Sequence, residues 1–147
     1  MPLLDKGGLA TDATEFVDLD ALEEEQADRG PGDRFGVRVP CDVDGEELAR
    51  RAGSAGAIAI EVPRTGDGRV FSLAATLRER GYHGIIRAVG PLIPDQFAFA
   101  LACGIDQVEI TDEQLARQPL DQWLASAGTI SRTYVGSDGI FARRSAA

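Results

Sequence analysis

From Phe35 onward the chain alternates between two hydrophobic periods. Short runs at residues 35–39, 57–62, 85–89 and 107–110 alternate with period two and read as strands. The stretches between them carry apolar residues at helical spacing. Successive strand starts lie 22, 28 and 22 residues apart, the length of one strand–helix unit. The first helix opens at Asp44, which has capping-box spacing to Glu47; Leu48, Ala49 and Ala52 form its apolar stripe, and Gly53 and Gly56 stop it. The second is expected over residues 72–80, with Leu73, Ala74 and Leu77 inward and Gly81 at its end. The third is expected over 95–103, with Phe97, Ala98 and Leu101 inward and Gly104 as stop. A fourth opens at Thr111, three residues before Gln114. Past Pro119 two courses are open. Leu120, Trp123, Leu124, Ala127, Ile130 and Tyr134 stripe one continuous helix, whereas Gly128 and the β-branched Thr129, Ile130 and Thr133 favour a break and a strand. Residues 136–139 carry a turn signal, and the end of the chain reads as a tail.

The two faces of these strands differ. One carries Val37, Ile58, Ile60, Val62, Ile86, Ala88, Val108 and Ile110; the other carries one charge per strand, Arg38, Glu61, Arg87 and Glu109. A doubly wound sheet is covered on both sides and reads apolar on both. With right-handed crossovers and every helix on the apolar side, the strand order becomes 1-2-3-4 and the sheet curls. The expected fold is therefore α/β: a four-stranded parallel sheet with helices on one face, like half of a TIM barrel. A doubly wound three-layer sheet is the alternative. The alternating signs allow an ion ladder across the concave face, because unpaired buried charge is costly. That face needs a cover: the N-terminal segment, the residues from Gly128 on, or a second copy around a two-fold axis, so a homo-oligomer is expected.

Charge divides the chain further. Formal net charge is -9, and residues 1–34 hold ten acids and only three bases. The breaker cluster at residues 29–33 closes this part. The expected organisation is an acidic N-terminal segment (1–34), a repeat domain (35–135) and a C-terminal tail (136–147). The acidic segment reads as a solvated appendage, although Phe16, Val17, Leu19 and Leu22 give it a means of docking on the core. An acidic balance argues against nucleic-acid binding. With no apolar run of membrane-spanning length and no apolar leader, a cytoplasmic location and no membrane partner are expected.

In parallel α/β sheets ligands sit at the carboxyl ends of strands. Here the loop Gly66-Asp67-Gly68-Arg69 follows the second strand and feeds a helix through Ser72. Free backbone amides, a hydroxyl and an arginine suit a small anion; the structural alternative is a turn, a cap and a surface ion pair. Gly90, Asp95 and Gln96 flank the next strand end, and Arg87 lies on that strand. Cofactor and metal signals are lacking: there is no Walker A or GxGxxG motif, and His83 is the only histidine. Cys41 and Cys103 lie in no CxxC pair and read as small buried residues.

One stretch is more specific. Residues 67–74 (Asp-Gly-Arg-Val-Phe-Ser-Leu-Ala), Leu77-Arg78-Glu79-Arg80-Gly81-Tyr82, Arg87-Ala88-Val89-Gly90, Asp95-Gln96 and Cys103-Gly104 resemble the bacterial family catalogued as domain of unknown function 934. The resemblance covers about residues 57–110; Val70, Pro91 and Ala102 stand where the family pattern has other residues. It implies roles for Asp67, Gly68, Arg69, Ser72, Arg78, Arg87, Gly90, Asp95 and Gln96. Members often lie beside genes for sulfite reductase, which implies an accessory protein of assimilatory sulfate and sulfite reduction. Such a protein would bind a small anion or a reductase partner, sulfite reductase or a relative, without catalysis of its own. Two other readings stand beside it: an oxidoreductase or lyase acting on a small sulfur-containing or carboxylate substrate at the strand ends, and a structural homodimer.

Overall fold

A computed structural model of the chain describes residues 1–12, 14–22, 24 and 35–127. Seven strands form one mixed sheet. They are β1 (Leu3–Asp5), β2 (Gly8–Ala10), β3 (Phe16–Asp18), β4 (Gly36–Pro40), β5 (Ala57–Glu61), β6 (Ile85–Val89) and β7 (Gln107–Glu109). The helices are α1 (Gly45–Ala52), α2 (Arg69–Glu79), α3 (Pro94–Ala102) and α4 (Asp112–Arg117), followed by a helical stretch at 120–127.

The order across the sheet is β2-β1-β7-β6-β5-β4-β3. The four strands read from the sequence are parallel neighbours in chain order. The expectation of a four-stranded, purely parallel sheet is corrected on number. β3 adds a parallel strand beside β4, and the β1–β2 hairpin adds two antiparallel strands beside β7. Three-residue strands carry too little periodicity to be recognised alone. The hairpin had one local signal: Gly7-Gly8 between Leu3-Leu4 and Leu9-Ala10. Gly8 has φ +125°, which a side chain would oppose.

The order does not reverse between β4 and β7, as a doubly wound sheet requires. Val37, Val39, Ile58, Ile60, Ile86, Ala88, Val108 and Ile110 share one core cluster with Leu48 and Ala52 of α1, Val70, Leu73, Ala74 and Leu77 of α2, Phe97 and Ala100 of α3, and Trp123. Ala57 and Ala59, on the opposite face, are buried outside that cluster. All the helices thus pack on one side of the sheet.

The sheet curls away from them. Ala10 ends β2 at one edge, and Phe16 begins β3 at the other. Six residues span at most about 21 Å, whereas six strand spacings in a flat sheet cover about 29 Å. The edges must approach each other, and Asp12 reaches the concave side. Side chains agree: Arg87 of β6 pairs with Asp12 at 2.7 Å, and its guanidinium lies 4.7 Å from the ring centre of Phe16. Gly36, opposite Phe16, has no room for a side chain; a Cβ there would meet the Phe16 ring at 2.3 Å.

Helix starts follow the caps read from the sequence. The Asp44 carboxylate accepts from Glu47 N at 3.2 Å, and Thr111 Oγ1 accepts from Gln114 N at 3.0 Å. Gln114 does not return the bond; its buried amide donates to Leu92 O. α2 begins three residues before the expected Ser72, with Gly68 as its N-cap. Of the two courses past Pro119, residues 120–127 are helical and bury Trp123 and Ala127. Ile130, Tyr134, the turn at 136–139 and the tail at 136–147 lie outside the described residues. Among the described residues no helix is long and apolar enough to cross a membrane.

Candidate functional site

The carboxyl ends of β4, β5 and β6 open on a cleft of about 470 Å³. Arg38 and Pro40 of β4 line it with Cys41 and Asp42 just beyond, as do Glu61, Val62 and Pro63 after β5, Val89 of β6, and Arg69 at the start of α2. Two further cavities adjoin it. One shares Cys41, Asp42 and Arg69 and adds Ser72 and Thr76; the other shares Arg38, Pro40 and Glu61 and adds Asp18, Asp20 and Glu24. The sheet supplies one wall because alternate strand residues face the concave side, and the turn into α2 supplies the other.

The loop after β5 is tightly made. Thr65 Oγ1 donates to Pro91 O at 2.7 Å and so ties it to the loop after β6. Gly66 takes φ +90°. Asp67 then does what an external anion was expected to do. Its carboxylate accepts the Arg69 backbone amide at 3.1 Å, Arg69 Nε at 3.0 Å and Arg69 Nη2 at 2.7 Å. The hydrogen bonds from the Arg69 side chain and backbone hold the Asp67 carboxyl down at about 2. The same bond raises the pKa of Arg69. Arg69 lines the cleft, and among the described residues its Nη1 makes no hydrogen bond or ion pair.

Cys41 is buried beside this pair, with Sγ 4.0 Å from Asp67 Oδ2. Burial pushes its thiol pKa up, which outweighs the pull of Arg69. The thiol therefore stays protonated at neutral pH and is a poor nucleophile. Cys103, half-buried after α3, is raised in the same way by burial. Among the described residues no three His, Cys, Asp or Glu side chains come together to hold a metal.

The structure separates the residues picked out from the sequence. Arg69 lines the cleft, Ser72 is exposed and lines the adjoining cavity, Asp67 fixes Arg69, and Gly68 caps α2. Gly90 is a steric necessity, with φ +140° and a Cβ position 2.3 Å from Val62 O. Asp95 is exposed in the first turn of α3, and Gln96 Oε1 accepts from Ile93 N at 3.1 Å; neither lines the cleft. Arg78 lies at the opposite end of the sheet. It donates to the carbonyls of Tyr82, Gly84 and Gly104 and to the Asp106 carboxylate, clamping the amino ends of β6 and β7.

Arg87 is 6% exposed and sits in the middle of the concave face. Besides Asp12 and Phe16 it meets Glu109 at 3.5 Å and Gln107 at 3.2 Å. The expected ion ladder is thus two separate pairs, Arg38–Glu61 and Arg87–Glu109, the second completed by Asp12. Asp12 was invisible as a partner because it lies 75 residues from Arg87. Arg38 and Glu61 were legible as charges on the face but not as cleft residues. Their signal was position, at the carboxyl ends of adjacent strands.

Asp12 gives a pH prediction. The Thr14 hydroxyl, donating at 2.6 Å, is the main cause that lowers its pKa; the Thr14 amide and Arg87 add to it against the cost of burial. A carboxyl depressed in the folded state stabilises the fold above its unfolded value, near 3.9, and this is lost as pH falls through the folded value. The urea midpoint is expected to hold from neutral pH to about 5 and then to fall below about 4. In Asp12→Asn that acid limb should be shallower, measured by urea titrations at each pH.

Residues 36–138 match the sequence family described as bacterial protein of unknown function, DUF934. The chain belongs to this family. No curated protein matches it. The DUF934 match begins at β4 and takes in every residue that lines the 470 Å³ cleft. Asp12 and Phe16, which cover Arg87 on the concave face, lie before it.

Proposed function

We propose that this protein is an accessory component of assimilatory sulfate and sulfite reduction that binds a small ligand with an anionic group and catalyses nothing itself. The sulfur assignment rests on the family resemblance. The binding assignment rests on one observation: Arg69, whose guanidinium Asp67 orients through two parallel hydrogen bonds, lines a cleft of about 470 Å³. A fork fixed in advance loses little freedom when it takes up a carboxylate or oxyanion. The protonated Cys41 thiol beside it favours binding over nucleophilic chemistry. We read β4–β7 with their helices as half of a barrel, whose strand ends are the natural binding face. A reductase partner is a second reading, favoured by the acidic groove of Asp18, Asp20 and Glu24 next to the cleft.

A thermal-shift panel of sulfite, sulfate, phosphate, adenylyl sulfate, flavins and NADP, with amino acids added, tests the first reading. A ligand at 100 times its dissociation constant adds about 2.7 kcal/mol, a shift of several degrees. Arg69→Ala is expected to weaken the responding ligand by about 1–3 kcal/mol, as loss of a charge-assisted hydrogen bond does. Unchanged affinity would remove Arg69 from the site. No shift with any compound would favour the reductase partner, with pull-down of sulfite reductase as the next measurement.

A further inference from the structure

We infer that the strand-end cleft takes a zwitterion, an α-amino acid with an apolar or thioether side chain, and that Arg38 and Glu61 read its two charges. This rests on the cleft being the binding site.

The charges around the cleft choose the ligand class. Arg38 and Arg69 share its lining with Asp42 and Glu61, and Asp67 stands behind Arg69. The two cations are outnumbered by three carboxylates. A free dianion such as sulfate or sulfite finds no excess of positive charge here. A ligand with one carboxylate and one ammonium finds a partner for each.

The two arginines are not equivalent. Arg69 holds Asp67 through two parallel hydrogen bonds and a third from its backbone, the strong form of this contact. Arg38 meets Glu61 only at 3.9 Å, beyond hydrogen-bond distance, and the two side chains are 41% and 50% exposed. An exposed pair this loose contributes little, so a ligand separates it at little cost. The ligand carboxylate is then shared between the Arg38 fork and Arg69, which line the same cleft, and its ammonium goes to the Glu61 carboxylate. An α-amino acid carries both charges on one carbon, which suits two protein charges already within 4 Å. Pro40, Val62, Pro63 and Val89 leave an apolar wall for its side chain. The volume lies within the ordinary range for small-molecule sites.

Calorimetric titration of the full chain with L-methionine and L-serine tests this, with acetate, methylamine, sulfate and sulfite as comparisons. L-methionine should bind. Arg38→Gln and Glu61→Gln, both exposed positions, should keep the native circular dichroism spectrum. Each should weaken L-methionine by about tenfold or more, the usual effect of losing a charge-assisted contact. Acetate and methylamine, with one charge each, should bind at least tenfold more weakly than L-methionine. Unchanged L-methionine affinity in both variants overturns the assignment. Binding of sulfate or sulfite without either amino acid overturns the zwitterion and keeps the cleft. Binding of no compound overturns both this inference and the small-ligand reading.

Discussion

Replacing Arg87 with methionine is expected to destabilise the protein by about 3–5 kcal/mol, the usual cost of removing one partner from a buried ion pair. The side chain is 8% exposed, and its partners Asp12 and Glu109 are 14% and 18% exposed. Methionine fills much of the volume but leaves two carboxylates facing each other with little water. It also removes the cation that lies over Phe16, and with it the contact that holds Asp12 on the concave face. For a chain of this length the loss corresponds to a fall in Tm of roughly 10–15 °C. Calorimetry at pH 7 measures it. Asp12→Asn should cost less, because Glu109 and Gln107 still satisfy Arg87. The double variant should cost less than the sum of the two, since the residues share one network. If Arg87→Met were as stable as the parent, the network would contribute nothing and Arg87 would be open to a ligand role.

Trp123→Ala is expected to cost about as much, roughly 3–5 kcal/mol for a fully buried tryptophan. Trp123 is fully buried, its ring meets Phe97 edge-on with centroids 5.5 Å apart, and its Nε1 donates to Gln118 O at 3.0 Å. Alanine leaves a cavity beneath the last helical stretch and orphans the Gln118 carbonyl. Trp123→Phe should recover most of the packing and none of the hydrogen bond. Trp123 is the only tryptophan, so urea unfolding must be followed by circular dichroism in these variants. Trp123 packs on α3 and does not line the cleft. Ligand affinity of the folded fraction should therefore not change, in contrast to Arg38→Gln.

The repeat of strand and helix was legible from Phe35 onward because each unit carries its own period, cap and stop. Val37, Ile58, Ile86 and Val108 share one face while Arg38, Ala59, Arg87 and Glu109 take the other, and that alternation already says which face is covered. Asp44 and Thr111 announce their helices through bonds three residues long. Local chemistry of this kind is written in consecutive residues.

The N-terminal segment was legible as one of three candidate covers of the concave face, but how it covers that face was not. β1, β2 and β3 are three residues each, and their pairing partners are set by the curl of the sheet rather than by their own sequence. Likewise an arginine in a sequence looks available to a ligand until its neighbours in space are known. Asp67 closes one edge of Arg69, and Asp12 and Glu109 take Arg87, whereas the Arg38–Glu61 contact is loose. The sequence by itself determined the period, the two faces and which end of the sheet holds the carboxyl ends of the strands, because these follow from short-range geometry. Only the tertiary structure decided which charges are already paired, because ion pairing depends on distance in space, and the chain brings Asp12 to Arg87 across 75 residues.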